Sequence, residues 1–262
     1  MREDIIWELR SDKVKEILRS DKRIDGRKFD EYRPVDIRLD ISKNAHGSSI
    51  VRLGETQVMC GVMIVPGTPY PDSPDQGSIS VGAELMPLAS PTFEVGPPRE
   101  EATELARVVD RGIREGKAVD FKKLCITEGE LAWVVFIDLY IANDAGNMLD
   151  ASAIAAMAAL LNARVPKLED KKVVKGEFAG KLEIERQPML CTFAKVGTKI
   201  LADPLLAEEK AMDASFSVAT TEDDFLSAFQ KGGAGSFTAE EIDQCVDWSF
   251  KLVKQLRKKV TG

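Results

Sequence analysis

Arg107, Arg111 and Arg114 fall at i, i+4 and i+7, opposite an apolar stripe of Ala102, Leu105, Val109 and Ile113. The spacing predicts a row of guanidinium groups on one solvent-facing side of a helix. Guanidinium forks match phosphate oxygens, so this row is a candidate phosphate contact. The same residues also have partners at helical spacing. Glu104 lies three before Arg107, Asp110 four before Arg114 and Glu115 four after Arg111, and such pairs need no ligand. Spacing alone leaves both readings open.

A second group, Asp203, Glu208, Glu209 and Asp213, follows a predicted strand. Carboxylates at this density either hold a divalent cation or form a solvated acidic loop. Lys231-Gly232-Gly233-Ala234-Gly235 lacks the GxxxxGK[ST] spacing of a phosphate loop and precedes Thr238-Ala239-Glu240-Glu241, a capping box. It reads as a helix-entry turn. His46 is the sole histidine, which argues against a triad or an imidazole general base.

Cys60, Cys125, Cys191 and Cys245 are far apart, with no CxxC pair, so no structural zinc site is expected. Three of them sit in apolar or β-branched runs, as free buried thiols do, and point to a reducing, cytoplasmic compartment. The 36 Lys+Arg and 43 Asp+Glu give a net charge of −7, which excludes whole-molecule attraction to nucleic acid or anionic membrane. Polyanion binding then requires a local patch. With 44% hydrophobic and 30% charged residues the composition is that of a soluble globular protein. Met1 to Arg10 lacks a signal-peptide core, and no apolar run approaches the ~20 residues of a membrane span.

The elements that position these residues follow from periodicity. Met1 to Arg19 suits an amphipathic helix, and Tyr32 to Val65 holds short β-branched stretches separated by Gly47 and Gly54, as a β-meander does. Ser78 to Leu85 is extended, and Glu100 to Gly116 is an amphipathic helix. Strands follow near Leu124 to Thr127 and Ala132 to Ile141, then an Ala-rich helix from Asp150 to Ala163. Pro166 and the charged stretch Lys167 to Lys175 read as a seam between two lobes. Beyond it, strands are expected at Met189 to Lys195, Thr198 to Ala202 and Ala214 to Thr221, before a last helix through Leu256. The order indicates an α+β protein of two related lobes.

Arg23-Ile24-Asp25-Gly26-Arg27-Lys28-Phe29-Asp30-Glu31-Tyr32-Arg33-Pro34 resembles the RxDGRxxxExRP motif that opens members of the RNase PH superfamily. Gly47-Ser48-Ser49 and Gly54-Glu55-Thr56-Gln57-Val58 follow as in that family, and the resemblance runs from about Arg23 to Lys258. It implies two βαβα-type lobes, each a mixed sheet backed by helices. The corresponding divisions are a helical extension at 1–22, lobes at 23–166 and 187–262, and a connecting segment at 167–186. Members are phosphorolytic exoribonucleases and their catalytically silent ring partners.

Three departures bear on activity. The catalytic members' phosphate loop, similar to DGGTRTA, appears as Asn143-Asp144-Ala145-Gly146-Asn147-Met148-Leu149, with Asn147 in the arginine's place and Asp144 and Asp150 adding negative charge. Glu100 and Glu101 stand where those members carry an arginine pair. Glu209 replaces the usual aspartate of an acidic motif, before Asp213. The resemblance therefore implies a non-catalytic subunit of an archaeal exosome ring, without metal or cofactor. It would alternate with a catalytic sister in three heterodimers, meet RNA-binding cap subunits, and touch RNA through Arg107, Arg111 and Arg114. The rival reading is a self-sufficient phosphorolytic 3'-to-5' exoribonuclease with a rearranged site of Arg107, Arg111 and Glu209. The segments around Val58 to Val65 and Ala214 to Thr221 are the expected edge strands for assembly.

Overall fold

The computed structural model describes residues 2–261. Helix α1 (Arg2–Arg19) leads into a meander of β1 (Val35–Leu39), β2 (Gly47–Leu53) and β3 (Thr56–Gly67). Then come β4 (Ser78–Leu85), α2 (Glu100–Glu115), β5 (Cys125–Thr127), β6 (Leu131–Asn143) and α3 (Met148–Leu161). A hairpin of β7 (Arg164–Glu169) and β8 (Lys172–Lys181) precedes β9 (Met189–Val196), β10 (Lys199–Ala202), α4 (Leu206–Ala211), β11 (Ala214–Thr220), β12 (Leu226–Gly232) and α5 (Ala239–Thr261).

The first sheet has the order β1-β2-β3-β6-β4, with β5 beside β6, and it is mixed because β4 runs parallel to β6. The second, β10-β9-β11-β12, is antiparallel throughout, so only the first lobe has the mixed sheet that the resemblance implies. The α+β fold with helix-backed sheets is as expected.

Alternation explains the inner face of the first sheet. Val58, Cys60, Val62 and Ile64 of β3 and Val135, Ile137, Leu139 and Ile141 of β6 are buried in one core. Helix α3 lies against this face and against β9, and every residue from Asp150 to Leu160 is buried. Its alanines permit that closeness, and Gly47 on β2 is required by it: a Cβ there would lie 2.3 Å from Ala159 O. Helix α2 backs β4, α5 backs β9 and β11, and α1 packs on α4 through Val14, Leu18 and Ala211. The α5 capping box forms as read, with Glu241 N donating to Thr238 Oγ1 (3.3 Å) and Thr238 N to Glu241 Oε2 (2.8 Å).

Three expectations change. β3 and β11 are interior strands, so Val58 to Val65 and Ala214 to Thr221 are not edges; β1, β4, β10 and β12 are. The charged seam at Lys167 to Lys175 is part of the β7–β8 hairpin. Its alternating charges disguise a strand whose faces are largely exposed. The acidic run after Ala202 contains α4, too short at six residues to show a helical repeat. All four cysteines are free, Cys60, Cys191 and Cys245 are buried, and burial raises each of those three thiol pKa values. No helix among the described residues is long and apolar enough to cross a membrane.

Candidate functional site

The loop entering α3 is shaped by buried Thr56, which accepts from Ala145 N (3.2 Å) and donates to Gly146 O (2.6 Å). Gly146 adopts φ +92, and a Cβ there would meet Leu206 N at 2.3 Å, so the entry to α4 presses directly on the loop. Asn147 takes the left-handed φ of 57 that asparagine tolerates and caps α3, its Oδ1 accepting from Asp150 N (3.4 Å).

The Asn147 side chain is turned inward, at 2% exposure. Its Nδ2 donates to Asp150 Oδ2 and Asp203 Oδ1, both at 2.8 Å. Asp150 is fully buried and also accepts from Tyr32 Oη and from Thr192 N and Oγ1. Burial raises its pKa against the pull of those donors. Asp203 accepts from Arg33 N (2.8 Å), Nε (2.9 Å) and Nη2 (2.7 Å), and from Arg27 Nη1 (2.9 Å). Desolvation opposes its charge, but the Arg33 hydrogen bonds and charge prevail and hold its pKa below the ordinary value. Arg23 completes the cluster, paired through Nε and Nη2 with buried Glu208 at 3.0 and 2.6 Å.

These contacts explain the N-terminal motif. Its three arginines tie the segment ahead of β1 to the turn and helix after β10, and Gly26 supplies the φ of +77 that its turn needs. Tyr32 and Thr192 are central to this network with no local signal in the sequence, and Asp203 and Glu208, grouped there as a cation site or a solvated acidic loop, are instead buried partners of arginines. Their partners lie up to 185 residues away along the chain. The carboxylates of the acidic run do not converge: Asp203 is engaged by Arg27 and Arg33, Glu208 by Arg23, and Asp213 by Gly197 N, and among the described residues no group of three or more His, Cys, Asp and Glu is gathered as metal ligands.

Glu209 reaches the same loop from α4, and its Oε1 accepts from Asn147 N at 2.7 Å. A helix N-terminus favours an anion, but here the chain's own carboxyl group takes that donor. Desolvation is the largest influence on Glu209 and, reinforced by Asp144, pushes its pKa up to about 8 despite the Asn147 hydrogen bond and the charges of Arg33 and Lys210. Asp213 is elsewhere, accepting from Gly197 N (2.7 Å) in the β9–β10 turn. The structure therefore separates the two residues that the acidic motif had grouped.

The first turn of α2 lies near this loop. Burial, Asp144 and Glu104 all raise the Glu101 pKa, outweighing Lys210. Glu100, Glu101, Glu104, Arg107, Arg111 and Gln230 line an open groove along the helix. The arginine row is not uniform. Arg107 is exposed and makes no hydrogen bond or ion pair. Arg111 is partly buried and donates to Phe229 O (3.4 Å) and Gln230 Oε1 (3.3 Å) on β12. Arg114 is also partly buried, bridged to Asp110 at 2.9 Å and donating to Ile79 O at 3.2 Å. Of the three expected helical pairs only Arg114–Asp110 forms; Glu104 instead accepts from Gln230.

Residues 31–166 match domain 1 and residues 187–251 match domain 2 of the 3' exoribonuclease (RNase PH) family. The chain belongs to that family. It is 48% identical over 259 residues to the exosome complex component Rrp42 of Archaeoglobus fulgidus, covering 99% of this chain and 98% of the relative. With Rrp42 of Thermococcus kodakarensis it shares 45% identity over 261 residues, covering 98% and 96%. Among solved structures it superposes on a chain of the Archaeoglobus fulgidus exosome with RNA bound to the active site, with a TM-score of 0.91, 46% identity and coverage of 97% and 99%. A chain of an archaeal exosome core gives 0.90 at 42% identity, with both chains fully covered.

Proposed function

We propose that this chain is a non-catalytic structural and RNA-binding subunit of an exosome ring, supporting 3'-to-5' phosphorolysis by a catalytic RNase PH-like sister. The carrying observation is the closed loop before α3. Asn147 spends its side chain on Asp150 and Asp203, and its main-chain donor on Glu209. Nothing basic replaces the arginine that the resemblance expects there, and Glu101 and Asp144 add negative character beside it. Inorganic phosphate finds neither the arginine that the resemblance expects nor that free donor.

The partners in this reading are the sister chain in a ring of three heterodimers, RNA-binding cap subunits and RNA, in the cytoplasm. The proposed lobe boundaries are 23–166 and 187–262, which enclose the family's matched segments at 31–166 and 187–251. Of the arginine row, Arg107 is the residue suited to RNA phosphates, since its guanidinium has no internal partner. Arg111 would swing from Gln230 to reach the same groove, and Arg114 serves its helix.

Co-expression with the sister tests the assembly. The expected species has equal numbers of both chains and the mass of six, and two proteins that stay apart would end the ring reading. A ring carrying Arg107→Ala and Arg111→Ala should still assemble but bind RNA less tightly. Its log–log salt dependence should flatten by about 0.7 per lost contact. Unchanged binding across salt would remove the arginines from the RNA contact.

A further inference from the structure

The β7–β8 hairpin carries a basic excess along an exposed two-stranded ribbon. Residues 164–181 hold six cations, Arg164, Lys167, Lys171, Lys172, Lys175 and Lys181, against Glu169, Asp170 and Glu177. The ribbon is thus net +3 on a chain of net −7, leaving −10 for everything else. It is also open to solvent, since every residue of β8 except Val174 is exposed.

Internal pairing accounts for only part of this charge. Lys167 is bridged to Glu169 and Glu177, both at 2.9 Å, and Lys171 to Glu130 at 2.6 Å. Lys172, Lys175 and Lys181 make no ion pair or hydrogen bond through their side chains. At the base of the ribbon, Arg164 and Lys181 are direct cross-strand partners. Like charges in that position destabilise a hairpin, and no acidic side chain offsets this pair. The Arg164 guanidinium lies over the Phe178 ring at 4.2 Å, while Phe178 packs edge-on to His46 at 6.1 Å. The stack holds the group in place without using any of its hydrogen-bond donors. Four unneutralised cations therefore follow one exposed ribbon about 30 Å long, at the ~3.3 Å rise per residue of a strand.

We infer that the β7–β8 ribbon is a docking surface for the phosphate backbone of single-stranded RNA, separate from the α2 groove that contains Arg107. The inference rests on the reading of this chain as an RNA-handling subunit only for the identity of the polyanion. Point charges on flexible stems, with a single aromatic already occupied by Arg164, grip phosphates rather than read bases, so the contact is independent of sequence.

The test uses the full-length chain, alone and in the co-expressed ring, with a labelled 20-nucleotide oligouridylate titrated between 0.1 and 1 M salt. Replacing Lys172, Lys175 and Lys181 with glutamine should flatten the log–log slope by about 2, at ~0.7 per contact, which corresponds to a loss of up to ~100-fold in affinity at 0.1 M salt. Replacement of the same three by arginine should keep the slope, and an unchanged melting curve shows that both variants fold. A glutamine variant with the parental slope overturns the inference. So does one that fails to join the ring while its slope is unchanged, since the ribbon would then contact protein. If ring assembly fails for the parent but its RNA binding still depends on these lysines, the ring reading falls and the ribbon assignment stands.

Discussion

Asp203→Asn should be among the most damaging isosteric changes this protein can carry. The carboxylate is fully buried and takes four hydrogen bonds from Arg33 and Arg27 and one from Asn147. The amide keeps the shape but removes the charge that compensates Arg33, itself 6% exposed, and brings a second NH2 group against Asn147. Removing one partner of a buried pair costs roughly 3–5 kcal/mol, because the remaining charge stays desolvated. At about 2–4 °C per kcal/mol for a chain near this length, the melting temperature should fall by roughly 6–20 °C. The sign with pH follows from the depressed pKa of Asp203. Its stabilisation is present above the ordinary carboxylate pKa and is lost as pH falls through the lower folded value, so the variant's deficit should shrink in acid. Circular-dichroism melts of parent and variant from pH 3 to 8 read both effects. Asp213→Asn, which alters an exposed carboxylate bonded to Gly197 N, is the control and should shift little. A loss under about 2 °C for Asp203→Asn at pH 7 would refute the assignment of this network as the joint between the N-terminal motif and the second sheet.

Three further outcomes are expected. Glu209 has a folded pKa of about 8 against an ordinary 4.5, so its contribution is complete below about 4.5 and is lost as pH rises through about 8. Glu209→Gln should match the parent at pH 5 and melt several degrees higher at pH 9, by about 2 kcal/mol once its partial exposure is discounted; parallel curves would contradict this. Ser152 Oγ is buried in α3 without a hydrogen-bond partner, so Ser152→Ala should leave the melting temperature level or raise it by a few degrees, and a fall of more than about 4 °C would contradict the geometry. Asn147→Arg should yield no phosphorolysis by the isolated chain and should lower its stability, because the longer side chain must enter a closed, fully hydrogen-bonded space; turnover in that variant would show that one residue silences the site.

Elements with strong local signals were legible in the chain. The stripe of α2, the alternation of β3 and β6 and the capping box of α5 each follow from residues within one or two turns or a strand's length. Burial on both sides explains why the Ala-rich α3 shows no polar face. The site was less legible, because its chemistry is made by long-range pairs. Nothing local to Asp203 announces Arg33, 170 residues earlier, and nothing near Glu209 announces Asn147. The acidic run suggested a cation site because its true counter-ions, Arg23, Arg27 and Arg33, lie in a distant motif. The arginine row was regular in sequence yet divides in space, since β12 reaches Arg111 and β4 reaches Arg114. β12 itself was hidden by the glycines at its end, where Gly233 adopts φ +75 and Gly235 N donates to Asp213 O.

On the proposed function, the α3 entry loop is closed to phosphate. The direct measurement is nucleoside diphosphate release from an oligoribonucleotide, with inorganic phosphate and a divalent metal, by the purified chain alone and by the chain co-assembled with the proposed catalytic sister. No release is expected from the isolated chain, and release is expected from the assembled ring. Nucleoside diphosphates produced by the isolated, sister-free chain would contradict the proposed function.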